Sequence, residues 1–139
     1  MKTTVKYLIL LLMSMTVIGS ELYQPNSGDK ELDESLILIN KNINRKNKKK
    51  LSQFVNKVAQ DFQVPAQKVE ELFNHYKFNA PDVLMSVSIA DVSGEPLQNI
   101  AGVYFKHKIK GWRYALKNMN ISKNSKVFLQ IKKDMKINF

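Results

Sequence analysis

The chain has 139 residues and a formal charge of +10, enough for one domain and too few for two. It contains no cysteine, which excludes disulfides, thiolate metal sites, thiol nucleophiles and thiol redox chemistry. Its 44% hydrophobic residues, including seven Phe, five Tyr and one Trp, must therefore hold the fold together by packing alone.

The first 20 residues read as a secretory signal peptide. Lys2 and Lys6 precede an apolar run from Tyr7 to Ile18, and the small residues Gly19 and Ser20 follow. A cut after Gly19 or after Ser20 suits this pattern. The alternative is a retained N-terminal anchor. A bilayer-spanning helix needs about 20 apolar residues, however, and this run has about a dozen. A lipid anchor would need a cysteine. Removal of the signal leaves about 119 residues, a single domain, in a periplasmic or secreted location.

Residues 21–49 read as a flexible arm, first acidic and then basic. Glu21, Asp29, Glu31, Asp33 and Glu34 stand against Lys30 alone, and six basic residues without an acid fill Lys41 to Lys50. Tyr23-Gln-Pro-Asn-Ser-Gly28 carries turn chemistry. The apolar run 36–39 is too short to separate a strand from a helical turn or a docking arm.

Residues 50–131 carry helical periodicity. Leu51, Phe54, Val55, Val58, Ala59 and Phe62 form one stripe, and Pro65 breaks the helix. Val69, Leu72, Phe73 and Tyr76 form the face of a second helix. Asn79 caps a third with Pro81 in its first turn. That helix, from about 81 to 92, is apolar on most sides and so predicted to be central, and Gly94 suits its C-terminal cap. Pro96 opens a fourth helix with Leu97, Ile100, Val103 and Tyr104 inward. Gly111 marks a turn, and Trp112, Ala115, Leu116 and Met119 form a fifth. Ser122 or Ser125 caps a last segment with Phe128 and Ile131, before a basic tail over 132–139. The expected fold is all-α: a compact orthogonal bundle of about five short helices with an irregular N-terminal arm.

The chemistry-bearing residues are sparse. From Lys106 to the C-terminus there are ten basic residues and one acid, Asp134. Lys106, Lys108, Lys110, Arg113, Lys117, Lys123 and Lys126 are the candidate anion-binding set. The helix spacing from 82 to 119 is similar to a helix-turn-helix that would offer Arg113 and Lys117 to a duplex, but an export signal argues against specific DNA as the target. Trp112 suits either a stacking platform or a core anchor, and its place at the start of a short helix favours the core. His75 and His107 lack metal-ligand spacing, and Glu70 and Glu71 beside His75 read as solvated surface. Asp82 and Asp91 lie more than two turns apart, so Asp82 is expected to favour the positive N-terminus of its own helix. No phosphate loop or nucleophile elbow occurs, and the pattern implies no catalytic residue, metal or cofactor.

Several motifs resemble a family of small exported bacterial proteins without an established function. They are Phe62-Gln-Val-Pro65, Lys68-Val-Glu70, Ala80-Pro-Asp82-Val83, Val92-Ser-Gly-Glu-Pro96, Gly111-Trp112, Ala115-Leu-Lys117, and Ile121 through Ser125 to Phe128. The likeness covers roughly 33–133. Family members show Gly-Trp-Gly, Ile-Lys-Pro-Gly-Ser and Phe-His-Ala-Leu-Lys. Here Arg113 replaces the second glycine, Ser122-Lys-Asn-Ser125 replaces Lys-Pro-Gly-Ser, and Phe128-Leu-Gln-Ile-Lys132 lacks the histidine. The resemblance implies an exported helical domain and transfers no activity.

The sequence thus points to a non-enzymatic, envelope-associated interaction module that meets an anionic envelope component through its basic C-terminal half. Peripheral membrane contact is compatible with it. The alternatives are an adaptor that captures an envelope protein in an apolar groove, and a hydrolase of unknown type.

Overall fold

The computed structural model describes residues 22–136, and the predicted signal peptide lies outside them. Among the described residues the fold is all-α, with seven helices and no strand: α1 (Lys30–Asn42), α2 (Lys48–Phe62), α3 (Ala66–Asn74), α4 (Ala80–Ser93), α5 (Leu97–Lys106), α6 (Gly111–Asn118) and α7 (Lys126–Asp134). A 3-10 turn, Lys108–Lys110, joins α5 to α6.

Helix α4 is central, as its apolar sequence requires. Every residue from Ala80 to Ile89 is buried, and α1, α2, α3, α5 and α7 all pack against it. Two local signals work as the sequence indicates, whereas Asn79 precedes α4 without a side-chain capping hydrogen bond. Gly94 ends α4 at φ +75°, a conformation that suits glycine. The Ser125 side chain accepts the Phe128 amide at 3.1 Å and so caps α7.

The N-terminal region departs from expectation. The irregular arm contains helix α1, a full member of the bundle, which with the six helices of the domain makes seven. The Asp29 carboxylate accepts the Leu32 amide at 2.9 Å and starts the helix. Leu32, Leu36, Ile39 and Ile43, spaced four, three and four, are all buried. The run 36–39 is therefore helical and splits between faces: Leu36 and Ile39 point inward while Ile37 and Leu38 stay exposed. The basic stretch that follows holds only a short turn, after which Asn47 caps α2 through the Lys50 amide. The tail expected at 132–139 starts inside α7, with Ile131 and Met135 buried on either side of Lys132.

Residues 22–29 form a strap that crosses the start of α6. The Trp112 amide donates to the Pro25 carbonyl at 2.9 Å, and the Arg113 amide to the Asn26 carbonyl at 2.8 Å. These bonds satisfy donors that a helix N-terminus leaves open. The crossing is close enough to need Gly111. A Cβ there would lie 2.5 Å from Asn26 Cβ and 2.8 Å from the Pro25 oxygen.

Candidate functional site

The seven candidate cations are all exposed. Lys106 ends α5, Lys108 and Lys110 begin and end the 3-10 turn, Arg113 and Lys117 lie on α6, Lys123 follows α6, and Lys126 opens α7. Lys110, Arg113 and Lys117 are spaced three and four apart and share one side of α6 and its lead-in turn. The Lys110 ammonium stands 4.3 Å from the Tyr114 ring centre, and Tyr114 also meets His107. The strap turn at Gly28 gathers two more: the Arg113 stem packs on it and the Lys123 ammonium donates to its carbonyl at 3.2 Å. None of the seven forms an ion pair among the described residues.

The acids of the N-terminal region are directed elsewhere. Lys132 bridges Asp29 at 3.2 Å and Glu31 at 3.0 Å, and Lys136 also binds Glu31. Hydrogen bonds from Lys136 and Lys132 lower the Glu31 carboxyl to about 2, and Glu31 in turn raises Lys132. Burial pushes Asp29 upward, but the Leu32 amide and Lys132 outweigh it and leave the group lowered. The acidic segment thus pairs with the end of α7 and forms no ion pair with the seven candidates.

The interior holds a polar centre that sequence reasoning missed. Asp82 does not merely favour the start of its own helix; it is 0% exposed. Its Oδ1 accepts the Tyr23 hydroxyl at 2.7 Å and the Trp112 indole N–H at 2.8 Å. Its Oδ2 is buried without a hydrogen-bond partner among the described residues. Burial pushes this carboxyl above its ordinary range, against the downward pull of the Tyr23 and Trp112 hydrogen bonds and of the Lys108 charge. Burial, reinforced by the Asp82 charge, likewise raises both Tyr23 and Tyr104. Trp112 is the core anchor expected of it, and its indole stacks on the Tyr104 ring at 3.8 Å. The signal for this centre was an acid in the first turn of a helix apolar on most sides, and an acid buried there must find donors.

A cleft of about 590 Å³ opens beside the centre, lined by Leu22, Tyr23, Asn79, Tyr104, Lys108 and Ile109 among others. Tyr23 and Asn79 also line a neighbouring cleft that carries Arg45 and Lys46. Asp82 lines neither. A third cleft, of about 610 Å³, runs past Leu72, His75, Tyr76 and Leu97 between α3 and the start of α5. Among the described residues, no group of three or more His, Asp or Glu side chains could hold a metal ion. His75, exposed, and His107, half-buried, sit in separate aromatic contacts, with Tyr76 and Tyr114.

No protein-family model, curated protein or solved structure matches the chain.

Proposed function

We propose that the protein, read as an orthogonal bundle of short helices, is an exported, envelope-associated interaction module that contacts an anionic partner through its basic C-terminal half. The observation that carries this reading is the division of charge. Lys132 and Lys136 have internal acids, whereas Lys106, Lys108, Lys110, Arg113, Lys117, Lys123 and Lys126 are exposed and have no ion pair among the described residues. Uncompensated cations on one half of a small domain favour polyanions and weaken with salt. The apolar, small-residue N-terminus and the likeness to exported bacterial proteins support the location.

Asp82 supports a structural role over hydrolysis. A general acid must reach substrate, and Asp82 is covered by Tyr23 and Trp112 and lines none of the three clefts described above. The cleft between α3 and α5 favours the adaptor as a second reading, since Leu72, Tyr76 and Leu97 give it an apolar floor. Salt separates the two. Retention on anionic vesicles, an anionic cell-wall polymer or nucleic acid at low salt is expected to fall steeply as salt rises. It should also fall when Lys110, Arg113 and Lys117 are changed together to Gln. Failure to bind any of these supports sinks the proposal, and salt-insensitive capture of one envelope protein selects the adaptor.

A further inference from the structure

Ile109 is the most exposed large apolar side chain among the described residues, at 99%. It occupies the middle of the 3-10 turn, so Lys108 and Lys110 stand on either side of it. Leu22, 76% exposed, lines the same cleft as Ile109 and Lys108. Phe105, more than half exposed, adjoins Lys106 in the last turn of α5. Across Tyr23 and Asn79, the neighbouring cleft adds Arg45 and Lys46. The end of the bundle at which the described chain begins therefore presents apolar tips among cations.

We infer that this end docks on an anionic lipid bilayer, with Ile109 and Leu22 entering the boundary between headgroups and acyl chains. Lys106, Lys108, Lys110, Arg45 and Lys46 meet lipid phosphates around them. The inference rests on the anionic-partner reading and names the partner.

Two observations select a bilayer over other polyanions. An isoleucine held out between two lysines gains nothing from a polymer that is polar throughout. Against a bilayer the isoleucine reaches hydrocarbon while the lysine stems lie along the interface with their ammonium groups outward. The second observation is how few residues separate Leu22 from the apolar run. Only Gly19, Ser20 and Glu21 separate the apolar run ending at Ile18 from Leu22. Fully extended, that stretch reaches at most about 14 Å. The polar layer on each side of a bilayer is about 6 Å deep. When the apolar run engages the membrane during export, Leu22 and its cleft partners Lys108 and Ile109 are thus held at the surface. Cleavage after Gly19 or Ser20 leaves the docking face in place there.

The absence of cysteine supplies the test. Ile109→Cys provides a single attachment point for an environment-sensitive fluorophore on the exported protein as recovered from cells. The label reports the surroundings of residue 109, so it discriminates whether or not the N-terminal run is retained. With vesicles of phosphatidylcholine containing one-third phosphatidylglycerol, the label is expected to shift to the blue, and added salt to reverse the shift. Pure phosphatidylcholine vesicles, or a label at Gln53 on α2, should give no shift. Ile109→Ser should weaken vesicle partition about tenfold, and Lys108→Gln about fivefold. Co-sedimentation with anionic vesicles without a shift at residue 109 overturns this docking face and leaves the anionic-partner reading standing. Retention on nucleic acid or a cell-wall polymer but not on vesicles does the same. Retention on none of them overturns both.

Discussion

Asp82 and Ile109 break the rule of apolar inside and polar outside in opposite directions, and the fold accounts for only one of them. Asp82 is a carboxyl with 0% exposure, and it has donors waiting: the Tyr23 hydroxyl and the Trp112 indole. Ile109 is an isoleucine with 99% exposure between two lysines that have no ion pair among the described residues. A misplaced group with partners inside the protein belongs to the architecture, and one with none is what the proposed docking face requires. Lys108 links the two, since its charge acts on the Asp82 carboxyl and it shares a cleft with Ile109.

The contrast breaks most sharply at Asp82. Asp82→Leu removes the acceptor of Trp112 Nε1, which stays enclosed in the core, and of the Tyr23 hydroxyl. Stranding one enclosed donor and displacing another should cost about 3 kcal/mol. Urea unfolding should show this as a lowered midpoint with an unchanged slope. Asp82→Asn keeps an oxygen acceptor and should cost clearly less. Equal stability of the leucine variant and the native protein would remove Asp82 from the architecture and reopen it as a functional acid.

Gly111 tests the strap that brings Tyr23 to this centre. Its backbone, at φ +76° and ψ −173°, lies in a region open almost only to glycine. A Cβ there would also collide with Asn26 and the Pro25 carbonyl. Gly111→Ala should therefore cost about 2 kcal/mol, and it should expose the amides of residues 112 and 113 to hydrogen exchange. Unchanged protection of those amides would mean that the strap is not held by this crossing.

The pH profile separates the buried carboxyl from the surface ones by sign. A raised Asp82 means that the folded state binds its proton more tightly than the unfolded chain does. Its contribution is therefore complete below the ordinary carboxylate value of 3.8 and declines as pH rises through the elevated folded value. Glu31, lowered to about 2 from 4.5, acts in the opposite sense. Its contribution is present above 4.5 and is lost as pH falls toward 2. Asp82→Asn should flatten the decline above pH 4 and leave the acid limb intact, and Glu31→Gln should soften only the acid limb. Chemical denaturation at a series of pH values measures both.

Much of this architecture was legible in the sequence wherever a single helix carried its own signals. The stripe from Leu51 to Phe62, the all-round apolar character of α4, Gly94 and Ser125 each mark their element locally. Helix α1 was obscured because turn residues and charge runs surround it and the adjacent apolar quartet 36–39 masks the longer spacing Leu32–Leu36–Ile39–Ile43. The partners of Asp82 were harder still. Tyr23 lies 59 residues away and Trp112 lies 30 away, and no local pattern joins them. The basic candidates were readable as charges, whereas which of them lack an acid depended on Asp29 and Glu31 reaching across to Lys132 and Lys136. Arg45 and Lys46 belong to a basic stretch whose composition reads as an arm, and only the fold places them beside Tyr23.

The smallest effect on folding is expected where the surface is most apolar. Ile109→Ser removes a side chain that buries almost nothing within the protein, so the unfolding free energy should change by less than about 0.5 kcal/mol in either direction. Ordinary surface substitutions share that outcome. The discriminating result is the pairing of unchanged stability with weakened vesicle association. A side chain retained for packing would lose stability along with binding, because the cavity left behind costs the folded state. A side chain retained for an outside partner loses binding alone. A clear drop in stability for Ile109→Ser would place this isoleucine with Asp82, as a group whose explanation lies inside the fold, and the distinction between the two regions would fail at its outward end.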